Sequence, residues 1–304
     1  MIRVPAGGRR DVSGDLSSGP MQTLPPPRPR LVIFDLDGVV YRGSQAVPGA
    51  AGLVAALRAV GAGVRFATNN SMATRAAYVE RLASHGIEAS ADEIVTSTSA
   101  TIEHLREHAP AVSSIVALGA TGMLEELLAA GFRAVSAGEA APPEWDGEAL
   151  PEAYDAVVVG LDRSFDYRRL GVAAAAIRAG AQFIATNADL RYPTPHGFLP
   201  GAGTIVAAVQ AASGVEPLVI GKPQPGMFQA ILTMGGVGPA EALVIGDNPD
   251  ADIPAARRAG ISSVLVLTGV ADAALADGLD GDRRPDWIAA DPAAVLDLLD
   301  LRVS

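Results

Sequence analysis

The chain has 304 residues, with 23 lysines and arginines against 34 aspartates and glutamates, a formal charge of −11. Hydrophobic residues make up 49% of it, enough for a sizeable core and, at this length, for two domains. An acidic balance without a basic stripe argues against nucleic acid and anionic membrane as partners, no apolar run reaches the ~18 residues of a membrane span, and the absence of cysteine removes disulfides, thiolate nucleophiles and zinc–thiolate centres, which fits a cytoplasmic protein.

Residues 1–30 are rich in Pro, Gly and Arg, end in PPPRPR, and read as a flexible tail. No hydrophobic stretch of the secretory type follows the first charges, and Met21 offers a second start. From residue 31 short apolar runs alternate with helical patterns. Leu31-Val32-Ile33-Phe34 reads as a buried strand; Leu53, Val54 and Leu57 recur at helical spacing; Val64 to Ala67 is the next strand and ends in TNNS; a helix from Ala76 to His85 closes at Gly86. Such alternation signals a parallel sheet with crossover helices. In the middle of the chain, strands are expected at Ile115 to Leu118, Tyr154 to Val159 and Gln182 to Ala185, and helices around 121–130 and 167–179, while Val135 to Pro151 reads as a loop. PGAGTIVAAVQAASG, from Pro200, is a glycine-rich turn into a helix and suggests a hinge. The last third has strands ending at Ile220-Gly221-Lys222, Ile245-Gly246-Asp247 and Leu267-Thr268-Gly269, then an acidic surface loop over 272–286. The expected class is α/β: a doubly wound parallel-sheet core over residues 31–100 and 206–304, with an α/β domain inserted at 101–205.

Four polar motifs fall at expected strand C-termini: Asp35-Leu36-Asp37-Gly38, Thr68-Asn69-Asn70-Ser71, Gly221-Lys222-Pro223 and Gly246-Asp247-Asn248-Pro249-Asp250-Ala251-Asp252. Alone, each has an ordinary reading as a turn exit, a helix cap or solvated surface. Together they converge, because ligands of open α/β sheets bind beyond the strand C-termini. Convergence crowds Asp35, Asp37, Asp247 and Asp252, which is costly unless some protonate or a cation intervenes. An all-oxygen donor set suits a hard ion, Mg²⁺ above all. Lys222 adds a fixed positive charge, and Thr68 with the Asn69 turn adds donors, so the set suits a phosphate dianion. Competing motifs are incomplete. PGAGT lacks the third glycine of a dinucleotide loop, Gly221-Lys222 lacks the frame of a P-loop, and His85, His104, His108 and His196 lack metal spacing.

The order DxDG, TNN, K, GD-x4-D resembles the haloacid dehalogenase-like superfamily. FDLDGVVYRG, FIATNADLRYPTPHGFLPGAGTIV, IGKPQPGMF and IGDNPDADI together resemble its nitrophenylphosphatase-like group, whose Rossmann-like core carries a large inserted α/β cap. The resemblance implies a Mg²⁺-dependent phosphatase for small phosphorylated metabolites such as glycerol phosphate, phosphoglycolate or a sugar phosphate. Asp35 would be the nucleophile and Asp37 the general acid and base. Mg²⁺ would sit on the Asp35 carboxylate, the Asp37 carbonyl and Asp247, with Asp252 behind. Lys222 would neutralise charge, and Thr68, Asn69 and Asn70 would hold the phosphate. In the cap, Arg191 and Tyr192 are candidates for substrate contact, and relatives suggest a homodimer through the cap. Asn187-Ala188-Asp189 departs from the group's usual Asn-Pro-Asp. A sensor without turnover and a phosphotransferase to an acceptor other than water are the alternative readings.

Overall fold

A computed structural model describes residues 28–194 and 197–301. The expected tail lies almost wholly outside these residues, as do Met21 and His196. The chain runs β1 (Leu31–Asp35), a small hairpin of β2 (Tyr41–Arg42) and β3 (Gln45–Ala46), α1 (Ala50–Ala59), β4 (Gly63–Thr68), α2 (Arg75–Ser84), β5 (Ile94–Thr96) and α3 (Ser97–His108). It continues with β6 (Ser114–Leu118), α4 (Thr121–Ala129), β7 (Arg133–Ser136), β8 (Ala156–Val159), α5 (Tyr167–Arg178), β9 (Gln182–Ala185), a second hairpin of β10 (Arg191–Thr194) and β11 (Gly197–Pro200), α6 (Ala202–Ser213) and β12 (Leu218–Val219). Last come α7 (Gly226–Gly235), β13 (Ala242–Gly246), α8 (Asp252–Arg258), β14 (Ser262–Val266), α9 (Ala273–Ala276), β15 (Trp287–Ala289) and α10 (Pro292–Leu298).

Two parallel sheets result. The first has the order β15-β14-β13-β1-β4-β5, and the second β12-β9-β8-β6-β7. β1 is buried throughout, as a central strand covered on both faces must be. Its residues alternate: Val32 and Phe34 pack with Leu53, Leu57 and Val295 under α1 and α10, while Leu31 and Ile33 pack with Phe228, Ile231 and Ala255 under α7 and α8. The second sheet repeats the plan. Val116, Leu118, Val157 and Val159 face Val172, Ala176, Ile205 and Val209 of α5 and α6. Ile115 and Ala117 face the other way, toward Met123 and Leu127 of α4 and Ile102 and Leu105 of α3. α3 touches both α7 and α4, so one apolar cluster runs from the core into the cap. Among the described residues no helix is long and apolar enough to cross a membrane.

Several expectations need correction. β12, just before Lys222, pairs with β9 and belongs to the cap sheet, not to the core. α6 packs on α5, so the boundary at 205/206 cuts through a cap helix, and the boundary at 100/101 cuts through α3. The physical reason is that a short apolar run looks alike in either parallel sheet; only its non-local partner decides which. The glycines of PGAG allow close approach of the backbone. A Cβ on Gly201 would lie 2.1 Å from the Asp189 carbonyl oxygen, and one on Gly203 2.2 Å from that of Ala188. The loop expected from Val135 gives its first residues to β7, and the acidic stretch after 272 contains α9.

Candidate active site

β1 and β13 are neighbours at the point where strand order reverses, the usual crevice of such sheets. β1 ends on Asp35, β13 ends one residue before Asp247, and Asp252 opens α8. Oxygens of these three carboxylates all lie within 4.8 Å of one another. Lys222 Nζ stands 2.5 Å from Asp35 Oδ1 and 2.6 Å from Asp252 Oδ1. Lys222 is 3% exposed and Asp252 1%, so these charges interact with little screening by water.

Burial raises the Asp35 carboxyl well above the carboxylate range; Lys222 opposes the rise, and Asp252 and Asp247 add to it. Burial and the charge of Asp252 push Asp247 up to about 7. Burial works against the Lys222 charge, but Asp252 and Asp35 outweigh it and hold that amine above its ordinary value. Three carboxylates against one ammonium leave an excess of two negative charges when all are ionised (three minus one). An all-oxygen set with that excess fits a hard divalent cation. Asp252 commits both oxygens within the protein, one to Lys222 and the other to the Asn248 N–H at 3.0 Å. Among the described residues Asp35 accepts only through Oδ1 and Asp247 only through Oδ2, which leaves each with a second oxygen for an ion.

Close packing by glycine holds Asp247. Gly38 has φ +87°, and a Cβ there would lie 2.3 Å from Asp247 Oδ2; a Cβ on Gly269 would lie 1.8 Å from the same atom. The Val270 N–H donates to that oxygen at 2.6 Å, and the Thr268 hydroxyl donates to the Gly38 carbonyl at 2.6 Å. Residues 268–270 therefore fasten the DxDG turn to Asp247. Their place at a strand end was visible in the sequence; their role was not.

The TNN segment follows β4. Thr68 Oγ1 accepts from the Asn70 N–H at 3.1 Å, and Asn70 Oδ1 accepts from the Met72 N–H at 2.9 Å. The Asn69 side chain is already engaged. Its Nδ2 donates to the Lys222 carbonyl at 2.8 Å and to Asp189 Oδ2 at 3.0 Å, and its Oδ1 accepts the Lys222 N–H at 2.9 Å. The Asn69 carbonyl accepts from Ser97 Oγ and Asn187 Nδ2, each at 2.7 Å. Asn69 thus ties the core loop, the cap exit and the lysine together. Sequence reading made its turn a phosphate holder and missed the clamp, because its cap-exit and lysine partners lie 118 to 153 residues away.

Asp37 is half-buried; burial raises its carboxyl, and Arg81 and Lys222 pull it back. Its carboxyl takes part in no hydrogen bond among the described residues. Of the two cap candidates, Tyr192 is half-buried against the cap's apolar cluster and lies close enough to Tyr78 to influence its hydroxyl. Arg191 instead sets its guanidinium 5.6 Å over the exposed Phe198 ring. Tyr41, Tyr78 and Arg81, which surround Asp37, carried no signal in the sequence.

Residues 32–133 match the model of the haloacid dehalogenase-like hydrolases, and residues 219–295 match a second, HAD-hydrolase-like model. An acid sugar phosphatase of Staphylococcus aureus is 34% identical over 238 residues, 78% of this chain and 86% of its own. The chain belongs to the haloacid dehalogenase-like hydrolases. Within them it stands with the phosphatases that carry a large α/β cap. A 4-nitrophenylphosphatase from Thermotoga maritima superposes with a TM-score of 0.78 at 29% identity, over 89% of this chain and 97% of that one. A glycerol phosphate phosphatase from Mycobacterium tuberculosis, solved with magnesium, gives a TM-score of 0.77 at 33% identity, over 90% and 76%. The haloacid dehalogenase-like core and cap expected from the motifs are the two sheets found.

Proposed function

We propose that this phosphatase hydrolyses small phosphate monoesters through an aspartyl-phosphate on Asp35, with Mg²⁺ as cofactor. The observation that carries the reading is the buried cluster of Asp35, Asp247 and Asp252 around Lys222, with Asp37 two residues beyond the nucleophile. Asp35 and Asp247, with the Asp37 carbonyl, would hold the ion, which when bound supplies charge neutralisation at the phosphoryl oxygens. Asp35 attacks phosphorus in line, the ester bond breaks, and Asp37 gives its proton to the departing oxygen. Asp37 then takes a proton from the water that cleaves the acyl-phosphate, which returns Asp35 as a carboxylate and releases phosphate. Lys222 favours the charged form of Asp35 before attack and orients it, and Asp252 fixes Lys222. Thr68 and the turn at Asn69 and Asn70 meet the phosphoryl oxygens. Phosphoryl transfer asks mainly for positioning and charge, and this inventory supplies both.

The substrate class is a phosphorylated small metabolite, with Tyr192 the cap side chain best placed to meet it. The chain acts in the cytoplasm, as its lack of cysteine suits, and pairs through the cap, where Leu190, Phe198 and Leu218 are 66%, 67% and 47% exposed. Sedimentation should show a dimer that charged substitutions at Phe198 dissociate. The deciding assay is 4-nitrophenyl phosphate hydrolysis with Mg²⁺, with EDTA, and with Asp35→Asn. Turnover that needs the metal and Asp35 supports the reading; no metal-dependent turnover by folded protein refutes it.

A further inference from the structure

The DxDG turn holds a donor without an acceptor beside an acceptor without a donor. Tyr41 is fully buried, yet its hydroxyl has no hydrogen-bond partner among the described residues. Buried hydroxyls are rarely left so, because the lost hydration goes unreplaced. Four residues upstream, the half-buried Asp37 carboxyl also takes part in no hydrogen bond among the described residues. The backbone brings the two together: Asp37 and Tyr41 form an isolated bridge, and the Gly38 N–H donates to the Tyr41 carbonyl at 2.7 Å. Charge on Asp37 is the strongest electrostatic influence on the Tyr41 hydroxyl, after burial.

Neighbouring groups are engaged elsewhere. The Tyr78 hydroxyl donates to the Asn70 carbonyl at 3.3 Å. Lys222 is held between Asp35 and Asp252. Arg81 lies face-on to the Tyr41 ring, 3.7 Å from its centroid, and donates to the Gly43 carbonyl at 2.5 Å. The guanidinium therefore pins the ring between α2 and the hairpin and fixes where its hydroxyl points.

We infer that Tyr41 is a positioning residue whose hydroxyl, unpartnered at rest, donates a hydrogen bond to the Asp37 carboxyl when that side chain turns toward it, and so sets the direction in which that group meets the leaving oxygen. The inference rests on the proposed role of Asp37 as the acid. Asp37 would otherwise be a half-buried side chain free to rotate, and a general acid works only within hydrogen-bond reach of the proton's destination. Tyr41 acts through Asp37 rather than on the phosphoryl group itself.

The test compares phenyl phosphate with 4-nitrophenyl phosphate, nearly the same shape but with a leaving group that needs a proton and one that needs it little. In Tyr41→Phe, kcat/KM for phenyl phosphate should fall by about tenfold or more and that for the nitrophenyl ester much less, within the range of general-acid effects. Asp37→Asn should shift the ratio the same way and further. Tm of Tyr41→Phe should hold or rise, since an unpartnered hydroxyl is removed. An unchanged ratio, an equal loss on both esters, or a fall in Tm that accompanies the loss overturns the assignment while leaving the phosphatase reading intact, provided that Asp37→Asn moves the ratio. A wild type inert toward both esters removes the phosphatase reading, and the Tyr41 assignment with it.

Discussion

The Asn69 side chain meets the Lys222 backbone as a neighbouring strand would, donating to its carbonyl at 2.8 Å and accepting its N–H at 2.9 Å. The lysine proposed to neutralise the nucleophile is thus placed by an amide on a different loop. Asn69→Asp keeps the shape but loses the donor and sets a carboxylate against Asp189. We expect kcat to fall by one to two orders of magnitude and stability to drop by about 1–3 kcal/mol, the cost of unsatisfied buried groups. Steady-state kinetics and thermal unfolding of the variant check both.

Lys222 and Asp35 should respond in opposite ways to neutralisation. Lys222→Met leaves Asp35 and Asp252 buried without a counter-charge, a loss of about 3–5 kcal/mol by analogy with other broken buried pairs. Asp35→Asn relieves the crowding that Asp252 and Asp247 impose. It should abolish turnover yet leave the metal-free protein as stable as wild type, or more so. Denaturant titration in EDTA separates the two.

Mg²⁺ should stabilise the fold by linkage. At a hundred times its dissociation constant the gain is about 2.7 kcal/mol, and Asp247→Asn should remove most of it. Gly269→Ala should act alike, because its Cβ would press on Asp247 Oδ2. Tm measured against Mg²⁺ concentration for the three proteins gives the answer; an Asp247→Asn shift equal to wild type would exclude Asp247 as a ligand.

The far end of the cap carries a pH-dependent tie. Asp155 Oδ2 accepts from both N–H groups and both hydroxyls of Ser113 and Ser114, at 2.8 to 3.1 Å. These bonds hold its carboxyl below the usual range. The folded state therefore binds the proton more weakly than the unfolded chain. The stabilisation is complete above the ordinary carboxylate pKa of about 4 and is lost as pH falls toward the depressed value. Asp155→Asn should lower Tm at pH 7, with the gap from wild type narrowing in acid. A gap that stays constant from pH 7 to pH 2 would contradict this.

That Asp35, Lys222, Asp247 and Asp252 would meet was legible because strand-end carboxylates and a lysine have a chemistry that shows in residue type. So was α2, whose close at Gly86, φ +78°, needs only local geometry. β12 was misplaced because two apolar residues carry no record of which sheet they join. The Asn69 clamp was hidden because an amide's partners are fixed only by folding. Tyr41 looked like any aromatic of a turn; its significance lies in what its hydroxyl lacks, and no sequence displays that.

β12 ends at Val219, and Lys222 follows after Ile220 and Gly221. The cap's last strand and the buried amine proposed for catalysis are nearly the same piece of chain. A designer who exchanges caps between relatives to change substrate choice should therefore not cut at the sheet boundary. The transplant has to carry the stretch through Lys222, together with an asparagine at position 69 to receive it. A graft joined one residue early would bring a new lid and misaim the recipient's own charge.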